Sequence, residues 1–76
     1  MKDLIREIVQ ALVDQPENVS VSEIVGENTN VLEVKVAKSD MGKVIGKQGR
    51  NAQAIRTILS AASGRSRKKY VLEILE

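Results

Sequence analysis

The chain has 76 residues, enough for one domain with a modest core, and its 42% apolar and 29% charged content suits an ordinary folded domain. It contains no cysteine and no histidine. That excludes disulfides and thiolate metal sites and removes the commonest acid–base catalyst at neutral pH. The net charge is only +2, yet it is sorted along the chain. In residues 1–34, two cations stand against seven acids, whereas in residues 35–69 ten cations stand against Asp40 alone. Such sorting implies a basic face turned toward something anionic.

Met1-Lys2-Asp3-Leu4-Ile5-Arg6-Glu7 mixes charges into its apolar residues, unlike a signal peptide. No apolar run reaches the ~18 residues of a membrane span, so a cytoplasmic protein without membrane attachment is expected. Leu4, Ile5, Ile8, Val9 and Leu12 fall at helical spacing, predicting a first helix capped by Asp3 and running to about Asp14. Gln15-Pro16-Glu17-Asn18 ends it. Val19–Val25 reads as a strand whose alternation slips near Glu23-Ile24, the mark of a bulge or an edge. After the turn at Gly26–Asn30, Val31–Val36 is the clearest strand. Leu32, Val34 and Val36 face one way, and Glu33 and Lys35 the other. The two strands are expected to pair as an antiparallel hairpin.

Ser39 or Asp40 is placed to cap a short helix over Met41–Ile45, in which Gly42 relieves crowding. A second, longer helix follows from about Arg50 to Ser63, with Ala52, Ile55, Ile58, Leu59 and Ala62 as its buried side and Gly64 as a left-handed terminator. Arg65, Arg67, Lys68 and Lys69 form a basic connector that could extend the basic face. Tyr70–Leu75 is the last strand, with Tyr70, Leu72 and Ile74 on one side. The order is α-β-β-α-α-β, an α+β domain with a three-stranded sheet and three helices packed on one face. The second and third strands, joined by a helical crossover, should run parallel.

Between the paired helices lies Val44-Ile45-Gly46-Lys47-Gln48-Gly49-Arg50. Two glycines let a phosphate backbone approach closely and permit positive φ. Lys47 and Arg50 supply charge, Gln48 supplies hydrogen bonds, and the following helix aims its positive dipole end at the loop. A phosphate-binding P-loop does not fit. Gly42 and Gly46 are one residue too close, Gln48 stands at the hydroxyl position, and a helix precedes the loop. No acid pair, nucleophile–base pair or metal cluster is visible. A binder that needs no cofactor, and not an enzyme, is expected.

The Ile-Gly-x-x-Gly string between two helices, with Ile55 and Ile58 after it, resembles the signature of KH domains. The element order resembles their second topological type, type II. The length and pattern are similar to the KhpA family of small bacterial RNA-binding proteins. The resemblance implies single-stranded RNA as ligand, about four nucleotides clamped by the loop, and a role as RNA chaperone or post-transcriptional regulator. Carried over by position, Gly46, Lys47, Gln48 and Gly49 would contact the sugar–phosphate backbone, with Ile45 and Arg50 beside them and Lys43 and Val44 on the preceding helix. Bases would lie against Val44, Ile45, Ala52 and the Val34–Val36 region. Ala52 departs from the branched aliphatic that KH domains often carry there, which leaves sequence preference open. The resemblance further implies a homodimer, or a heterodimer with a larger KhpB (Jag-like) protein, with Ile55, Ile58, Leu59, Ala54 and Ala61 as a possible surface. A dimerisation module is thus the alternative to an RNA clamp. Single-stranded DNA differs from RNA only in the 2′-hydroxyl and is not separable from it on sequence.

Overall fold

The computed structural model describes residues 1–64 and 67–76. Helix α1 spans Lys2–Leu12, strand β1 Ser20–Val25, strand β2 Thr29–Lys35, helix α2 Met41–Ile45, helix α3 Arg50–Ala62 and strand β3 Lys69–Leu75. Single 3₁₀ turns occupy Pro16–Asn18, Lys38–Asp40 and Lys47–Gly49. The sheet order is β1-β2-β3. β1 lies antiparallel to β2, and β2 lies parallel to β3 with Leu32 beside Leu72.

The alternation in β2 decides which way the sheet faces. Leu32 and Val34 are fully buried, while Val31 and Glu33 are only half covered. α1 packs on β1 and α3 on β3, and Ile5, Val9, Ile55 and Leu59 meet Leu32, Val34, Val44 and Leu72 in one core. The register of β1 runs without a skip from Ser20 opposite Lys35 to Val25 opposite Asn30, so there is no bulge. The slip in its pattern has another cause. β1 is an edge strand, and beyond Val21 it leaves the cover of the helices. Glu23 then turns to accept a hydrogen bond from Asn30 Nδ2 at 2.8 Å, and Val25 is exposed.

Several local expectations change for physical reasons. Asp3 does not cap α1; it lies inside the first turn and pairs with Arg6 at 2.8 Å. Gly64 is not left-handed, and its N–H closes α3 on the Ala61 carbonyl at 3.3 Å. Gly42 relieves no crowding, since a Cβ there would meet open space. Ile58 and Ala62 are not part of the buried side of α3. The core takes only the narrow arc Ala52, Ile55 and Leu59, and Ile58 is 41% exposed.

Two backbone hydrogen bonds carry the β2–β3 pairing past the ends of the strands. The Val36 amide donates to the Leu75 carbonyl, bringing the end of β3 to the start of the segment that leads into α2. The Lys69 amide donates to the Asn28 carbonyl, holding the other end of β3 at the β1–β2 turn. Lys69 therefore lies at the β1–β2 turn, at the opposite end of β3 from the segment that leads into α2 and the Gly46–Gly49 loop. Arg65 lies outside the described residues.

Candidate nucleic-acid interface

α2 is too short to be stable alone and is held by its surroundings. Val44 (0% exposed) drives it into the core, and Asp40 anchors its start. Asp40 sits at the cap position, but its carboxylate does not cap α2. It is 1% exposed and accepts hydrogen bonds from the backbone N–H groups of Asp14 (3.2 Å) and Gln15 (3.1 Å). A buried carboxylate that receives two N–H donors is satisfied, and it ties the end of the first helical segment to the start of α2.

The loop follows at once. Gly46 has φ +77° and ψ 169°, a region open essentially to glycine alone. A Cβ there would strike Asn51 Cγ at 2.7 Å and Asn51 N at 2.8 Å. Gly49 is left-handed (φ +74°, ψ 13°) with space around it, and Gln48 shares that backbone region at φ +58°. Two turns close the loop on itself: Gly46 N–H to the Gly42 carbonyl at 2.8 Å and Gly49 N–H to the Gly46 carbonyl at 3.0 Å. Asn51 Nδ2 donates to the Lys43 carbonyl at 2.8 Å, joining the last turn of α2 to the first of α3.

This geometry puts Lys47 and Gln48 at an exposed tip, with Arg50 exposed at the first position of α3. No side chain caps α3, so its positive end is left to whatever approaches the loop. Ile45 is 38% exposed next to Gly46 and is the apolar surface available there. Val44, contrary to its expected place in the site, is fully buried: it seats α2 and has no surface to give a ligand. Val34, Val36 and Ala52 are likewise core residues and cannot wall a groove. Lys43 is half exposed, but its ammonium is paired with Asp14 and lies 3.9 Å from Asp40. The hydrogen bond it donates to the Asp14 carboxylate, reinforced by the negative charges of Asp14 and Asp40, raises its pKa above the ordinary lysine value. Tyr70 is partly buried and packs against the core.

Asn51, Asp14 and Asp40 escaped the sequence reading as parts of this site. Asn51 had a faint signal, a polar residue one place before the buried Ala52 in a helix that has just left a glycine. Asp14 had none, because its partner lies 29 residues away. Among the described residues no acidic group gathers to hold a metal ion, and no helix is long and apolar enough to cross a membrane.

The family described as KhpA/KhpB, KH domain, matches residues 2–74. The RNA-binding protein KhpA of Clostridium perfringens is 55% identical over 75 residues, covering 99% of this chain and all of that one. KhpA of Chlamydia trachomatis is 49% identical over 76 residues, covering 100% of this chain and 97% of its own. KhpA of Aquifex aeolicus is 50% identical over 76 residues, covering 100% and 96%. These relatives are named for binding and not for a reaction. Among solved structures, Era of Aquifex aeolicus bound to GDP.AlF4⁻ superimposes with a TM-score of 0.58 at 22% identity, over 97% of this chain and 29% of Era. Era in complex with MgGDPNP and nucleotides 1506–1542 of 16S ribosomal RNA gives a TM-score of 0.60 at 24% identity, over 97% of this chain and 28% of Era. The chain spans under a third of Era, and the likeness there is one of fold. By sequence over nearly its whole length, and by the helix–Gly46-Lys47-Gln48-Gly49–helix unit that its fold builds, the chain belongs to the KhpA/KhpB family of KH domains.

Proposed function

We propose that this protein binds single-stranded RNA, clamping about four nucleotides of backbone on Gly46-Lys47-Gln48-Gly49, and acts as an RNA chaperone or post-transcriptional regulator in the cytoplasm. The observation that carries the reading is the loop itself. Two glycines at positive φ bare the backbone, Lys47 and Gln48 stand exposed between them, and an uncapped α3 points at the same spot. The names of the KhpA relatives agree with it.

Phosphate contacts from Lys47, Arg50 and the loop amides would supply most of the affinity, which should be micromolar or weaker and fall steeply with salt. Base discrimination should be slight. The chain has no Phe or Trp, and Ile45 is the exposed apolar residue beside the loop. Fluorescence anisotropy with short labelled RNAs, and with DNAs of the same sequence, tests this. The double variant Lys47→Asp, Gln48→Asp should lower RNA affinity at least about tenfold, since it reverses a charge at a phosphate contact, while the melting curve stays close to wild type. Equal binding by both proteins would move the contact elsewhere, with the distant Arg67–Lys69 end the next candidate.

A second reading, pairing with another KH domain, is favoured by Ile58. It is 41% exposed on α3, which also carries exposed Ala54 and Ala61. A second copy or a KhpB-like partner would cover it, and two linked loops would raise effective affinity. Light scattering after gel filtration should show a species larger than one chain that Ile58→Asp reduces to a monomer. A wild type that is already monomeric at high concentration would exclude the homodimer.

A further inference from the structure

Lys43 stands one turn ahead of Gly46, yet its ammonium is held by acids from outside the loop. The two acids differ. Asp40 is 1% exposed and fixed by two backbone donors, so it stays where it is. Asp14 has a side chain 75% exposed, on the segment between α1 and the Pro16–Asn18 turn, and is free to let go. The Lys43 backbone is pinned, because Asn51 holds its carbonyl. Its four-carbon stem is not, and a lysine ammonium can exchange one anionic oxygen for another without moving the helix. An exposed ion pair of this kind is weak and screened by salt, so the exchange is easy.

We propose that Asp14 is an intramolecular competitor for RNA phosphate: it holds the Lys43 ammonium in the free protein and yields it to a backbone phosphate lying beside the Gly46–Gly49 loop. The inference rests on the RNA-clamp reading and deepens it. The contact sets a threshold, since only a phosphate strand that engages the loop brings enough negative charge near Lys43 to displace Asp14. RNA affinity in the wild type is thus held below what the loop's charge would otherwise allow.

The test is a gain of binding, which damage to the fold cannot imitate. Asp14→Asn should bind a short labelled oligo(U) RNA about two- to fivefold more tightly, the span set by what an exposed pair is worth. The slope of log affinity against log salt should stay close to that of the wild type, since both proteins neutralise the same phosphates, whereas Lys43→Ala should flatten it by about 0.7, one phosphate fewer on a single strand. In a Lys43→Ala background the same substitution should give no gain. Asp14→Ser repeats the test should the asparagine variant fold poorly by circular dichroism. An equal gain in the Lys43→Ala background would overturn the proposal, because removing a negative charge would then suffice. No gain, or a loss, in the Lys43 protein would overturn it as well. The Lys47→Asp, Gln48→Asp variant separates this from the underlying reading. If it abolishes binding while Asp14→Asn fails to tighten it, only the competition is wrong. If it leaves binding intact, the clamp reading falls and the competition with it.

Discussion

Gly46→Ala should abolish measurable RNA binding and destabilise the domain by about 2–4 kcal/mol, whereas Gly49→Ala should cost only about 1–2 kcal/mol and leave weakened binding. Both glycines have positive φ, so the difference is steric. At Gly49 an added methyl group meets nothing within 4 Å, and the cost is that of placing an alanine in the left-handed region. At Gly46 the same methyl group meets the Asn51 side chain and, at 2.8 Å, its backbone nitrogen. A side chain could turn away; a backbone atom in the first turn of α3 cannot without moving the helix. The Asn51 bond to the Lys43 carbonyl would break in the process, loosening the junction of α2 and α3. Urea denaturation of both variants beside anisotropy with RNA measures the contrast. Equal, mild effects would show that the packing of Asn51 under the loop is not what requires glycine at position 46.

The second large effect is expected at Asp40. Asp40→Ala strands the N–H groups of Asp14 and Gln15 in partly buried surroundings and removes the anion that anchors the start of α2. Hydrogen bonds to a charged group contribute about 1.5–3 kcal/mol each, and unsatisfied donors cost a similar amount. Because both donors are only partly buried and water can replace some of the loss, the expected cost is about 2–4 kcal/mol and not the full sum. For a domain of this size that corresponds to a fall in Tm of roughly 10–25 °C. Asp40→Asn keeps one acceptor but turns an NH₂ toward the other donor, and should lose about half as much. Thermal melts by circular dichroism decide the matter. An alanine variant within a few degrees of wild type would mean that water replaces the carboxylate at little cost.

These two residues also show how far the sequence can be read. The alternation of Leu32, Val34 and Val36 against Glu33 and Lys35 made β2 plain, because a two-residue period is enforced by the pleat itself. The glycine loop was plain for the same local reason: few residues tolerate its backbone. Asp40 was legible as a cap, since capping is a local rule, but the structure turns its carboxylate across the fold to donors 25 and 26 residues away. No periodicity carries that information. Ile58 belongs by spacing to the α3 stripe, yet the width of the buried arc depends on how closely α1 and α2 approach, which is a tertiary quantity. Val44 and Ala52 flank the loop in sequence, but packing takes both inside: Val44 seats the short α2 in the core, and Ala52 lies on the buried arc of α3.

The parallel pairing of β2 and β3 has a kinetic consequence. Thr29 sits beside Lys69, so the two strands join only after a chain segment of about forty residues has been closed between them. That segment contains α2, the Gly46–Gly49 loop and α3 entire. The β1–β2 hairpin can form early, on the timescale of local contacts, but closing the long crossover carries the larger entropic barrier. The Gly46–Gly49 loop lies wholly inside that crossover, so its place against the sheet is fixed only when the third strand docks. A partly folded chain would already display its hairpin while still lacking the finished form of the proposed RNA-binding surface.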